Sequence, residues 1–214
     1  MSEFITLGLE GRSFIEIKQS KFIGHCRRIE SAEDAAAFIR EERDMYPDAR
    51  HCCYAWVTGG DTRLQKTSDD GEPSGTAGMP LLSLLDKNGL AFTAVCVTRY
   101  FGGILLGKGG LVRAYTEAGA QALKDGQPTA IEIGKRFASV MNYGDYDAFV
   151  RKANSSGWII EDTVFEGDVR ANVLIPSGKE EDFSLYCLSL SKGKSAPECL
   201  GDAEMPGKQI SLFD

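Results

Sequence analysis

Between Thr98 and Tyr115 the chain reads TRYFGGILLGKGGLVRAY, eighteen residues with five glycines and three cations, Arg99, Lys108 and Arg113. Glycine removes the side-chain wall, exposes main-chain N–H groups and admits positive φ, so the stretch suits an anion or a partner held along the backbone itself. Gly102, Gly107 and Lys108 match most of a phosphate-binding GxxxxGK(S/T) loop, and the stretch sits between a strand-like run and a helix as that motif demands. Gly109 stands where a hydroxyl should hold Mg²⁺, and Ile104, Leu105 and Leu106 are apolar for a loop wrapped around phosphates. Non-hydrolytic binding is therefore expected. The plain structural alternative is that the glycines let helix and strand pack closely while Arg113 pairs with Glu117 at i,i+4.

A second cluster, Asp69, Asp70 and Glu72, offers paired carboxylates of the kind that share acid and base work. Asp70-Gly71 and Pro73 are also turn chemistry, and the acids have a third use, reaching across to hold Arg99 or Lys108. His25-Cys26 and His51-Cys52-Cys53 raise the question of zinc. Alternation along a strand sends Cys52 and Cys53 to opposite faces, which argues against one tetrahedral ion, and a Cys–His nucleophile lacks a third, orienting group. No metal and no cofactor are expected. At the other end Gln209, Leu212 and Phe213 resemble the short Q-x-x-L-F peptide that docks on the bacterial sliding clamp, while Ile210 and Leu212 alternate as the final strand of a second domain would.

The elements that must position these groups read as an α+β chain of two domains. Residues 4–30 alternate around Glu10-Gly11 and then Gln19-Ser20-Lys21, giving a hairpin and a third strand. Ser31 with Asp34 resembles a capping box for a helix carrying Ala35, Phe38 and Ile39, and His51–Thr58 is a strand. Gly59–Gly78 is a long polar loop of the kind that is either functional or disordered, Leu81–Asp86 is helical, and Phe92–Val97 is a strand buried on both faces. The glycine stretch opens a helix with Leu111, Ala114, Tyr115, Ala118 and Ala122 on one face. The pattern resets at Gly126–Pro128, dividing the chain into 1–128 and 129–214. The second part runs strand, helix, strand, strand, helix, with Ser177 and Glu180 as a capping box for its last helix, the order of a ferredoxin-like unit.

Composition narrows the partners. A chain of 214 residues with 43% hydrophobic content buries a substantial core. Its formal charge of −7 argues against general binding along a phosphate backbone, so any basic contact is local. The six cysteines show no CxxC spacing and read as reduced thiols of the cytoplasm. Glu3 stands where a signal peptide is positively charged, and no apolar run reaches membrane-spanning length, so no membrane partner is expected.

Three ordered segments, SKFIG at Ser20–Gly24, SDDGEPSGTAGMPLL at Ser68–Leu82 and VTRYFGGILLGKGGLVRAY at Val97–Tyr115, together resemble the YigZ/IMPACT family. The resemblance implies a first domain like the second domain of a small-subunit ribosomal protein and the fourth domain of elongation factor G, an α/β sandwich. It implies a ferredoxin-like second domain similar to the fifth domain of that factor. Eukaryotic members are regulators of translation that act through a protein partner, so RNA, the ribosome or a translation-factor protein is the implied partner. By the same resemblance Asp69, Asp70, Gly71, Glu72, Pro73, Gly75 and Thr76 form one wall of a site. Arg99, Tyr100, Gly102, Gly103, Lys108, Gly110 and Arg113 form the other. Chemistry assigns the cations to phosphate or carboxylate, Tyr100 to stacking, and the acids to orientation or an ion. The alternative is an enzyme acting on a phosphorylated or nucleotide-like small molecule in the same cleft, with Asp70 or Glu72 as base.

Overall fold

The computed structural model describes residues 3–59 and 62–213, so Gly60 and Asp61 of the expected long loop, the first two residues and Asp214 of the tail lie outside the described residues. Two units are distinguished, residues 4–130 with 208–213, and residues 131–207.

The first unit is organised by its most apolar strand. In chain order it contains β1 (Glu3–Leu7), β2 (Gly11–Ile17), β3 (Ser20–Arg28), α1 (Ala32–Met45), β4 (His51–Val57), β5 (Gln65–Ser68), α2 (Gly78–Lys87), β6 (Thr93–Tyr100) and α3 (Gly107–Asp125). β6 is central in a sheet ordered β2-β3-β6-β4-β5, antiparallel throughout. Buried on both faces, it needs no polar alternation, which is why Ala94–Val97 is a continuous apolar run, and the strand continues past the expected end at Val97 to Tyr100. Val95 and Val97 pack on one side with Leu81, Leu85, Tyr115 and Ala118 of α2 and α3, and Ala94 and Cys96 on the other with Phe38 and Ile39 of α1. Ser31 caps α1, its hydroxyl accepting from the Asp34 N–H at 3.1 Å while Asp34 accepts from the Glu30 N–H at 2.9 Å.

Several expectations change. Glu10-Gly11 is not a hairpin turn, because β1 neighbours β7 (Pro128–Met141) in a different sheet and the hairpin is β2–β3. Gly11 is required instead by crowding, since a Cβ there would lie 2.1 Å from the Ala122 carbonyl oxygen. The long polar loop contains β5, an edge strand paired with Tyr54–Val57. Its four polar residues, QKTS, carry no apolar alternation, so only the backbone pairing reveals it. Cys52 and Cys53 do go to opposite cores, and β6 separates β3 from β4, holding the two His-Cys pairs on non-adjacent strands.

The second unit contains most of β7, then α4 (Tyr143–Ser156), β8 (Ile159–Phe165), β9 (Val169–Ile175), α5 (Glu180–Leu190) and β10 (Glu198–Glu204). The order β10-β7-β9-β8, every pair antiparallel, is the split βαβ arrangement of a ferredoxin-like unit. Phe137, Phe149, Trp158 and Phe183 form its aromatic core. Ser177 does not cap α5. The helix begins at Glu180 without a side-chain cap, and Glu180, Glu181 and Asp182 supply negative charge to its first turn.

The tail is not a strand of this second unit. β11 (Lys208–Gln209) pairs with Thr129 and Ala130, Ile210 donates to the Pro128 carbonyl at 2.8 Å, and Leu212 and Phe213 pack on the first unit's core. The apolar alternation is satisfied there. No helix among the described residues is long and apolar enough to cross a membrane.

Candidate functional site

Strand alternation and register decide which groups meet. Phe22, Arg99 and His51 lie opposite one another across β3, β6 and β4, and so share the face that packs against α3. Arg99 is 5% exposed. Its Nη1 donates to Glu72 Oε1 at 2.6 Å and its Nη2 to Ser20 Oγ at 3.3 Å. The guanidinium lies 5.3 Å from the Phe22 ring centroid and 5.5 Å from that of Phe101, and Nε is buried without a partner. Glu72 also accepts from Tyr115 Oη at 2.8 Å. Burial pushes the Tyr115 hydroxyl far up, which keeps it protonated and a donor. His51 Nδ1 donates to the Asp70 carbonyl at 2.9 Å, leaving Nε2 facing Glu72 Oε1 at 4.0 Å.

The turn that brings Glu72 across is built by the two acids before it. Asp69 accepts from the N–H groups of Gly75, Ala77 and Gly78 at 2.8–2.9 Å, folding the loop and capping α2 from a distance. Burial raises its pKa, but these hydrogen bonds outweigh burial and hold the carboxyl below its ordinary value. Asp70 adopts φ +39° and is fully engaged, Oδ1 by Arg43 at 2.7 Å and Oδ2 by the Cys52 N–H at 2.8 Å. Gly71, at φ +86°, completes the turn over the His51 ring. Thr76 is buried and donates to the Pro73 carbonyl at 2.6 Å.

The opposite wall is the loop into α3. Gly102 fits against β3 so closely that a Cβ would meet the Gln19 carbonyl carbon at 2.1 Å, and its N–H donates to Ser20 Oγ. Gly107, at φ +70°, turns the chain into α3. The helix has no side-chain cap and no acid in its first turn, so the N–H groups of its first residues lack intrahelical acceptors and present positive charge.

Glu72, Pro73, Arg99, Gly107 and Lys108 line one cleft of about 410 Å³. The structure brings only part of the expected walls together in this cleft. Asp69, Asp70, Gly71, Gly75 and Thr76 build the turn and do not line the cleft. Tyr100 points away, because the residue after Arg99 on a strand faces the other side, and its hydroxyl donates to Asp48 at 2.7 Å instead of stacking on a ligand. Gly102 and Gly103 shape the loop from behind, Gly110 packs on Leu106, and Arg113 is exposed on α3 outside the cleft. Arg50, His51, Phe101, Leu105, Leu106 and Leu111 complete the lining, and none of them is among the site residues expected from the sequence. The β4–β6 register that sets His51 beside Arg99 has no signature within either strand, whereas the apolar Leu105 and Leu106 were visible in the sequence as a departure from a phosphate loop.

Three cations, Arg50, Arg99 and Lys108, thus face one carboxylate, Glu72, in a cleft of a chain whose net charge is −7. Residues 18–123, which contain every one of these groups, match the Impact N-terminal domain, and a relative in Bacillus subtilis (strain 168), IMPACT family member YvyE, is 32% identical over 195 residues, 91% of this chain and 90% of that protein. The chain belongs to the IMPACT family. Another IMPACT family member, YigZ of Escherichia coli (strain K12), is 36% identical over 180 residues, 83% of this chain and 88% of its own. A hypothetical protein of known crystal structure is similar over 94% of this chain and 98% of its own, with 32% identity and a TM-score of 0.62. Similarity to IMPACT proteins therefore extends well beyond the matched domain.

Proposed function

We propose that this IMPACT-family chain is a translation-linked binding protein that engages structured RNA or the ribosome through the cleft between the Glu72-Pro73 turn and the start of α3. The observation that carries the reading is Arg99, a cation buried at the cleft with one donor unused, beside Lys108 and an uncapped helix N-terminus. The link to translation rests on the family, and the likeness of the two units to the fourth and fifth domains of elongation factor G is part of the same proposal. A small basic cleft on an acidic chain suits a local contact, not the tracking of a long duplex. The enzymatic alternative finds less support. Asp70 has both oxygens engaged away from the cleft, and Glu72 is committed to Arg99 and Tyr115.

Co-sedimentation with purified ribosomes tests the reading. The wild-type chain pellets with ribosomes, and Arg99→Ala combined with Lys108→Ala abolishes the association. Unchanged pelleting of the double variant contradicts the proposal.

A further inference from the structure

The same cleft carries a narrower conclusion about what fills it. We infer that it takes a terminal phosphomonoester, the 5′-phosphate end of an RNA strand, with the first nucleoside lying on the apolar wall. This rests on the reading of the cleft as an RNA-binding site and specifies which part of the RNA enters.

Size is the first argument. A cleft of about 410 Å³ falls within the range of small-ligand pockets, roughly 300–1,000 Å³, and single-strand tracking sites span about four or more nucleotides. The cleft accommodates one nucleotide. Charge is the second. An internal phosphodiester carries one negative charge, whereas a phosphomonoester with its second pKa near about 6 carries close to two at neutral pH. Arg50, Arg99 and Lys108 less Glu72 leave an excess that matches the dianion.

Donor geometry is the third argument. The α3 terminus offers N–H groups at Gly107 and Lys108 that no side chain caps. Independently of the helix, Arg99, 5% exposed and lining the cleft, keeps Nε without a partner. A buried guanidinium donor left unpaired is costly, and a phosphate oxygen is the acceptor best matched to it. Phe101, exposed and itself part of the cleft lining, has its ring centroid 5.5 Å from the same guanidinium. The fourth argument is the opposite lining. Pro73, Phe101, Leu105 and Leu106 form an apolar surface beside the cations, and Leu105 is 82% exposed. A base or ribose covers such a surface, and inorganic phosphate alone does not.

The test is fluorescence anisotropy with a short single-stranded RNA labelled at its 3′ end, bearing either a 5′-phosphate or a 5′-hydroxyl. The full chain binds the phosphorylated strand at least about tenfold more tightly, a difference of about 1.4 kcal/mol. A nucleoside 5′-monophosphate competes with it, and more effectively than inorganic phosphate does. Arg50→Ala with Lys108→Ala, two exposed positions whose loss leaves the core intact, removes the preference. Equal affinity for the two strands, both weakened in the double variant, overturns the terminal-phosphate inference while the RNA-binding reading stands. Failure to bind either strand overturns the inference, and failure to bind either strand with no ribosome association overturns both. Displacement of the phosphorylated strand by an acidic peptide as readily as by the monophosphate also overturns the inference, since the cleft then reads carboxylates.

Discussion

Arg99 Nη1 lies 2.6 Å from Glu72 Oε1, and the two side chains are 6% and 4% exposed. The pair joins a central strand to the turn after Asp70, so the cleft is held open by an interaction inside the protein. In a buried pair, removal of one partner leaves an uncompensated charge, at a cost of about 3–5 kcal/mol. Glu72→Ala is accordingly expected to destabilise the chain by about 3 kcal/mol in urea unfolding. Replacement of both residues by methionine is expected to cost markedly less than the sum of the two single replacements. Additive losses from the two single changes show that the pair is not coupled and that the turn is held by something else.

Asp69 supplies a pH-dependent prediction. Its carboxylate accepts three backbone N–H groups and its pKa lies below the ordinary value in the folded chain. A depressed folded pKa contributes stability that is present above the unfolded value, about 3.9, and is lost as pH falls through the folded value. Asp69→Asn is expected to cost about 2 kcal/mol at pH 7, the scale of hydrogen bonds to a charged group. It should also flatten the loss of stability expected of the wild type below about pH 4. Parallel acid-unfolding curves for wild type and variant argue that another group governs that limb.

The glycines of the α3 loop separate into two kinds. Gly102 has no room for a Cβ beside the Gln19–Ser20 backbone, so Gly102→Ala must shift the loop away from β3. Gly107 has open space but φ +70°, so Gly107→Ala strains the backbone by about 1–2 kcal/mol without a clash. Thermal unfolding should therefore fall further for Gly102→Ala than for Gly107→Ala. An equal fall shows that close approach does not set the position of the loop.

Much of this arrangement is legible in the sequence. The helical spacing from Leu111 to Ala122 and the Ser31–Asp34 cap follow from local physics and appear in the structure, and the apolar run expected to end at Val97 is the first part of β6, which continues through Arg99 to Tyr100. The pairing of Glu72 with Arg99 was one of three readings that charge complementarity left open for the acids, and contacts across 27 residues leave no local pattern to choose among them. What failed did so for tertiary reasons. The turn role of Glu10-Gly11 lost to the packing of Gly11 under α3, the tail joined the first unit because Thr129 and Ala130 offered it an edge, and Tyr100 was assigned to the site without regard to strand alternation. His51 enters the cleft through a strand register that no single strand encodes, and Arg50 lines it from the residue just before β4.

The central claim is that the start of α3 and Arg99 together hold an anion. Amide-resolved NMR of the full chain during titration with inorganic phosphate addresses it most directly. The account predicts saturable shifts confined to the N–H groups of Gly107–Gly110 and to Arg99 Nε–H, abolished in Lys108→Ala. Unsaturable shifts, or saturable shifts that spare both α3 and Arg99, contradict it.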